Sequence, residues 1–260
     1  MQHERYEEAR TISLVRNIMD TIGVLIVLVT GTFVIALSSS LDHLWAATIP
    51  VRAIYLFIRL PGVVLHECSH VIGCLLTGAR IRSIVFFSKE GGSVTYSRPM
   101  LPFIGDVIIS TAPLFLIPLA LSAFTWAFGT FLGCTFPVFP ATLATPGAFL
   151  DLADALFSTF SENLLTRFNS WFLLYLYLAI SLILAVAPGT QDMKNAAAGM
   201  ILVTLACVLI VWSGIPLAVS VLSGLVLLLG YGFTLGLVYG LVVLAASLPL
   251  LFWCACKHLS

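Results

Sequence analysis

Long apolar runs, separated by short polar stretches, dominate the sequence. Six of them approach or exceed the roughly 20 residues that a membrane-spanning helix requires. We therefore predict an all-α polytopic membrane protein with about six spans. The predicted spans lie at about 18–40, 50–78, 101–130, 169–187, 195–213 and 217–255. In the last run, Gly230-Tyr231-Gly232 leaves open whether the segment forms one long helix or two.

The apolar pattern breaks at 80–98, directly after the second predicted span. Two β-prone stretches, 80–87 and 93–96, flank a run of turn residues that includes Gly91 and Gly92. This pattern predicts a small β-hairpin, and a surface loop is the alternative interpretation.

The composition agrees with a membrane protein. Hydrophobic residues make up 60% of the 260 positions, charged residues only 9%, and the mean hydropathy is +1.09. A soluble domain carries about 25% charged residues. The balance of 12 basic and 12 acidic residues argues against a nucleic-acid partner. Apart from a charged lead-in at 1–17, which we expect on the membrane surface, the chain predicts a single transmembrane domain at 18–256.

The basic residues predict the orientation, because cytoplasmic loops of membrane proteins are enriched in Lys and Arg. With six spans, the basic residues of 1–17, those of 80–98 and Lys194 all fall on one side. We therefore expect a multi-pass protein of the cell membrane with both termini in the cytoplasm.

The second predicted span contains the sequence His66-Glu67-Cys68-Ser69-His70. On a helix, the two histidines project from one face and can ligate one metal ion. Glu67 lies beside them and can take a proton from a metal-activated water. Ionisable side chains at membrane depth are costly to insert and are functional candidates by default. The pattern therefore predicts a catalytic metal centre inside the membrane.

Small residues share the helical face of the two histidines. They include Gly62, Ser69, Gly73 and Thr77, and they predict that other helices pack closely against this face. Pro61 precedes Gly62 and predicts either a kink or the start of a new helix one turn before the motif.

Two histidines do not complete a catalytic zinc site, which usually takes three protein ligands. Asp192 lies just past the fourth span, where Pro188-Gly189 interrupts the helix. We expect an irregular chain there to bring its carboxylate towards His66, which lies about 16 Å inside the membrane by helical rise. Asp106, at the start of the third span, is the alternative third ligand; otherwise it caps a helix end.

Three features make the chain resemble the site-2 protease family of intramembrane zinc metalloproteases. They are the His-Glu-x-x-His pattern in a membrane helix, the β-prone segment after it, and Asp192 beyond a proline at the end of a later span. The resemblance covers about 60–195. It implies a catalytic core at about 50–195, followed by C-terminal helices at about 195–256.

The resemblance implies one zinc ion per chain, held by His66, His70 and Asp192, with Glu67 as the general base of peptide-bond hydrolysis. The substrate would be a transmembrane protein or peptide, cleaved in regulated intramembrane proteolysis on the cytoplasmic side. It would add as an extended strand to the β segment. The expected substrate contacts are Ser93, Val94, Thr95 and Tyr96.

The chain also departs from that family pattern. Met193 follows Asp192, where the family has glycine, and Thr111-Ala112-Pro113 stands where the family commonly has Gly-Pro with a nearby asparagine. No PDZ-like insertion is present. These departures indicate a compact and divergent member.

Two other classes of function remain open at the level of sequence. One is a non-catalytic membrane protein, either a metal-binding scaffold or a pseudoprotease that binds transmembrane partners. The other is an ion transporter whose His and Asp side chains line a path. An intact Glu67 favours the protease, because a transporter has no need of an acid between two ligands. The sequence leaves the oligomeric state undetermined.

Overall fold

The protein is described from a computed structural model, which covers residues 2–49, 51–86, 92–140, 145–187 and 189–259. For 2–17, 146, 190–191, 193–197 and 250–259 the description is limited to the backbone. The described chain is mostly helical, with one small antiparallel sheet. Its elements are α1 (Gln2–Thr48), α2 (Arg52–Thr77), β1 (Ile81–Val85), β2 (Ser93–Tyr96), α3 (Pro102–Phe131), α4 (Pro146–Phe160) with a π-helical continuation (Ser161–Thr166), α5 (Ser170–Ala185), α6 (Thr190–Ser213) and α7 (Pro216–Leu259).

Four helices are long and apolar enough to cross a membrane by length and composition. They are α1 from Ile18 to Thr48, α2, α3, and α7 from Pro216 to Pro249. Two further apolar stretches, Ser170–Ala185 and Ala198–Ser213, are shorter. The predicted helical class, with long apolar helices and one small hairpin, is confirmed at this coarser level.

The first predicted span ended too early. Helix α1 continues to Thr48 rather than stopping near residue 40. The hydroxyls of Ser40 and Thr48 donate to carbonyls four residues earlier, those of Ala36 and Leu44. Because these polar side chains are satisfied by their own helix, they do not end it.

Helix α2 continues through Pro61 as a single helix, so no new helix begins there. Proline has no N–H, so the carbonyl of Phe57, four residues earlier, loses its helical partner. The Tyr177 hydroxyl of α5 donates to that carbonyl at 2.8 Å. The released carbonyl therefore ties the motif helix to α5.

Helix α7 runs without a break through 230–232, so the last apolar run forms one long helix rather than two. Gly232 lies against α3, where a Cβ atom would meet the backbone carbonyl carbon of Pro118 at 2.7 Å. This glycine permits a close helix contact rather than a turn of the chain.

An aromatic cluster fills the core between α3, α5 and α7. The Tyr175 ring of α5 lies 5.9 Å from that of Phe172, 5.6 Å from that of Phe128 and 5.6 Å from that of Tyr239, between centroids. Its hydroxyl shares a 2.9 Å hydrogen bond with Thr125 of α3. Edge-to-face and offset ring contacts of this kind add to the burial of apolar area. They hold α5 against its neighbours.

The predicted β-hairpin is confirmed. β1 and β2 pair in antiparallel register, with Val85 opposite Ser93 and Ile84 opposite Val94, and the pairing is irregular between Ile81 and Ser83. One face of the hairpin packs on a small buried cluster where α2 meets α3. The hairpin is thereby held beside the C-terminal half of the motif helix.

We expect Gly232→Val to destabilise the protein, because the added side chain would push α7 away from the α3 backbone. Overpacking of this kind costs about 1–3 kcal/mol, so the melting temperature in detergent should fall by several degrees. Gly224→Val is the matched control on the same helix, since nothing lies within 4 Å of a Cβ at Gly224. Identical thermal unfolding curves for the two variants would contradict this packing.

Candidate metal centre

Three side chains from two distant parts of the chain converge between α2 and α6. His66, His70 and Asp192 each offer one ligand atom, and these atoms all lie within 4.8 Å of one another. His70 Nε2 is 3.5 Å from Asp192 Oδ2, and the two imidazole centroids are 4.9 Å apart. His70 is buried, whereas His66 and Asp192 are partly exposed. The group can hold a metal ion.

Asp192 lies on a helix, contrary to the expectation of irregular chain. Helix α6 begins at Thr190, earlier than the predicted start near 195, and Asp192 belongs to its first turn. The backbone N–H groups at a helix N-terminus carry partial positive charge, which favours an acid at this position. The carboxylate therefore reaches the histidines from an ordered helix end.

Backbone carbonyls orient both imidazole rings. His66 Nδ1 lies 2.7 Å from the Ala185 carbonyl oxygen, and His70 Nδ1 lies 2.8 Å from the Ile109 carbonyl oxygen. A carbonyl oxygen only accepts, so each Nδ1 carries the proton and donates it. Each Nε2 is then left with a free lone pair, which is the form that ligates a metal.

The carbonyl that orients His70 is available because of Pro113. In an α-helix, the Ile109 carbonyl would accept from the N–H of residue 113, and proline has none. The Ile109 carbonyl instead accepts the hydrogen bond from His70 Nδ1. Pro113 therefore has a defined structural role in orienting His70.

The carbonyl that orients His66 is available because α5 ends. Ala185 is the last residue of α5, and the carbonyls of a final turn lack partners within their helix. In a longer helix, the Ala185 carbonyl would accept from the N–H of residue 189, and α5 ends before that residue. The end of α5 thus supplies an acceptor for His66, and the start of α6 positions Asp192.

Helix α3 also orients the third side chain of the group. Ser110, which is 2% exposed, directly follows the residue whose carbonyl binds His70. Its hydroxyl lies beside the Asp192 carboxylate. Adjacent residues of one helix therefore position both His70 and Asp192.

Glycines allow the helices to approach closely enough for these bonds. A Cβ at Gly62 would lie 2.8 Å from the Ala185 side chain and closer still to the Ser181 carbonyl. A Cβ at Gly73 would lie 2.8 Å from the Ile109 Cα. The Gly62 N–H also donates to the Ser181 hydroxyl at 2.8 Å. The small-residue face predicted for the motif helix is thus the face that meets α5 and α3.

Glu67 is 5% exposed, and its carboxylate lies near His70 and Asp192. Gly92, the residue before β2, packs against it: a Cβ there would lie 2.5 Å from both Cγ and Oε1 of Glu67. The hairpin therefore covers the carboxylate, and only a residue without a side chain fits at this point.

Asp106, the alternative third ligand, has a different partner. Its carboxylate lies beside the Tyr96 hydroxyl of β2. Burial and this carboxylate raise the pKa of Tyr96 to about 12, so the phenol keeps its proton at neutral pH. Asp106 is thus engaged with the hairpin and is not a member of the metal-capable group.

The four residues expected to contact substrate form β2, and they alternate between its two faces. Val94 and Tyr96 are partly buried against the α2–α3 cluster, whereas Ser93 and Thr95 are exposed. β2 pairs with β1 along one edge, and within the described residues no third strand pairs with the other. Their role in substrate binding stays a prediction.

The donor set suits a divalent first-row metal. Two neutral imidazole nitrogens and one carboxylate oxygen are the ligands that catalytic zinc takes in many enzymes. The two Nδ1 bonds already impose the ligating tautomer on both histidines. Because other divalent ions accept the same donors, the geometry supports a metal and leaves its identity to experiment.

Sequence reasoning missed the residues that support the ligands. Pro113 carried a usable signal, since a proline inside an apolar helix always releases the carbonyl four residues earlier. Ser110 and Gly92 carried none, because their roles depend on contacts with Asp192 and Glu67 that are distant along the chain.

Comparison with protein-family profiles gave no match for the chain. Comparisons with curated proteins and with solved structures gave none either.

We expect Asp192→Ala to weaken metal binding by more than the roughly 10–100-fold that loss of a supporting partner costs, because one of three ligands is removed. Asp106→Ala should leave the affinity essentially unchanged and serves as the matched carboxylate control. Competition against a chromophoric chelator in detergent micelles measures both. A loss in Asp106→Ala without one in Asp192→Ala would move the third ligand to Asp106.

Pro113→Ala should lower metal affinity about 10–100-fold, because the new N–H competes with His70 for the Ile109 carbonyl. Alanine is also the better helix former by about 3 kcal/mol, so affinity and helix stability should move in opposite directions. Pro118→Ala is the control, because it alters the same helix without changing the hydrogen bond of the Ile109 carbonyl. Equal affinity losses in the two variants would refute the role of Pro113.

Proposed function

We propose that the protein is an intramembrane zinc metalloprotease of the site-2 protease kind. The observation that carries the proposal is the buried Glu67 carboxylate beside the convergent His66, His70 and Asp192. Burying a carboxylate in a membrane helix is costly. A histidine pair that only packed two helices together would require neither this acid nor a third ligand from a distant helix.

The three ligands would hold one zinc ion and leave a fourth position open. When bound, zinc polarises a carbonyl group and lowers the pKa of a water molecule to about 7. The Ile109 and Ala185 carbonyls keep the two histidines in the ligating tautomer. The Ser110 hydroxyl, beside the Asp192 carboxylate, would help to orient it.

Glu67 is the proton carrier of the proposed reaction. Its carboxylate accepts a proton from the water that attacks the scissile carbonyl carbon, and the same proton then goes to the leaving amine nitrogen. One peptide bond and one water are thereby converted into a carboxyl and an amino group. Burial of Glu67 keeps bulk water from competing for this proton.

The substrate we propose is a transmembrane protein or peptide that enters the site in extended form. The unpaired edge of β2 offers backbone N–H and C=O groups with which an extended chain can pair. Gly92, the residue before this strand, lies directly against Glu67. A segment bound along β2 would therefore run past the proposed proton carrier.

We further propose that α5 and α6 cross the bilayer together with the four longer helices, giving six spans in the cell membrane. Helix α5 has 16 residues and many buried side chains, so neighbouring helices rather than lipid surround much of it. The basic residues that follow α2 then lie in the cytoplasm. The metal centre, close to the start of α6, would open towards that side.

The proposal is tested with the purified full chain in lipid nanodiscs. We expect about one zinc per chain by elemental analysis, and cleavage of fluorogenic transmembrane peptides that carry helix-breaking Gly or Pro near the centre. Glu67→Gln should retain the zinc, since Glu67 is not a ligand, and should lose cleavage by at least about 100-fold, within the range for a general base.

Cleavage that survives in Glu67→Gln would exclude this mechanism. Zinc binding without cleavage of any peptide by the wild-type chain would favour the non-catalytic scaffold instead. An absence of bound zinc would remove the metalloprotease altogether. A chelator should abolish cleavage by the wild-type chain, and added zinc should restore it.

A further inference from the structure

A serine of the first helix reaches the backbone that supports the metal centre. Ser38 of α1 is fully buried, and its hydroxyl oxygen accepts the Ala187 N–H at 2.9 Å. Ala187 lies in the break between α5 and α6, two residues after the Ala185 carbonyl that orients His66. It also lies five residues before Asp192.

Other hydroxyls of α1 behave differently. The side chains of Thr30, Thr32, Ser40 and Thr48 each donate to a carbonyl four residues earlier in α1. Ser38 instead accepts from a backbone N–H that is 149 positions away in the chain. Self-satisfaction within a helix, the usual role of a membrane serine, therefore does not describe this bond.

The bond satisfies a backbone group that the fold leaves exposed to an apolar environment. Non-helical backbone at membrane depth is tolerated only where protein or water pairs its polar groups. In the α5–α6 break, His66 pairs with the Ala185 carbonyl and Ser38 pairs with the Ala187 N–H. The two bonds hold the end of α5 and the break that follows it.

Helix α1 is itself held close to this point. Asp42, one turn beyond Ser38, accepts the Tyr55 hydroxyl of α2 at 2.7 Å. Its carboxylate also pairs with Arg59 of α2, with Nε 3.0 Å from Oδ1. Ser38 is thus presented from a helix that is anchored to the motif helix.

We propose that Ser38 is a positioning residue for the metal centre. It fixes the break so that the Ala185 carbonyl meets His66 and α6 begins with Asp192 facing the histidines. The inference rests on the metal centre of the proposed function and not on its protease activity. It assigns to α1, which lies outside the 60–195 region of family resemblance, a part in metal binding.

The test is zinc affinity of the purified full chain, together with the visible absorption spectrum of the Co²⁺ form. Ser38→Ala should bind zinc about tenfold more weakly, the lower end of the roughly 10–100-fold range for outer partners of metal ligands. The Co²⁺ spectrum should shift, because His66 and Asp192 change orientation. Ser38→Thr, which keeps the hydroxyl, should restore both.

Thr30→Ala is the matched control, since Thr30 is a buried hydroxyl of the same helix that bonds only its own backbone in the described contacts. It should leave both measurements unchanged. Ser38→Cys, which keeps the volume with a weak acceptor, is the second test should Ser38→Ala fail to fold, and the same loss is expected.

Wild-type affinity and an unshifted spectrum in Ser38→Ala would overturn the inference and leave the metal centre standing. Equal losses in Ser38→Ala and Thr30→Ala would also overturn it, because they would indicate helix packing alone. A wild-type chain that binds neither Zn²⁺ nor Co²⁺ would overturn the metal centre and this inference together.

Discussion

Backbone carbonyls that have lost their helical partners hold the metal centre together. Pro113 releases the Ile109 carbonyl for His70, and the end of α5 releases the Ala185 carbonyl for His66. In an apolar environment, an unpaired carbonyl and an unpaired imidazole N–H are both costly. Each bond removes both costs at once, and it also sets the tautomer that a metal requires.

These bonds depend on how closely the helices approach. A carbonyl on one helix reaches a ring on another only where the intervening residues are small, and Gly62 and Gly73 occupy the contacts of α2 with α5 and α3. Gly92 plays the corresponding part where the hairpin meets Glu67. Apolar surface alone does not drive helices together in lipid, so close packing and interhelical hydrogen bonds carry the specificity of this site.

Local patterns along the sequence predicted much of the fold. The apolar runs indicated the long helices, and the change of pattern at 80–98 indicated the hairpin, since both depend on residues close together in the chain. Helix ends were less well predicted. The serines near residue 40 looked like a terminus but bond within α1, and Asp192 looked like loop but begins α6.

The sequence by itself determined the chemistry available to this protein: a histidine pair one helical turn apart with an acid beside it, in a chain too apolar to be soluble. It also limited the third ligand to two aspartates. Tertiary structure alone favours one of them, because it places Asp192 with the histidines in the group that can hold a metal and leaves Asp106 beside Tyr96. Helical spacing is a local property, whereas the meeting of α2 with α6, and the support from α1, α3 and α5, depends on packing between residues 39 to 149 positions apart.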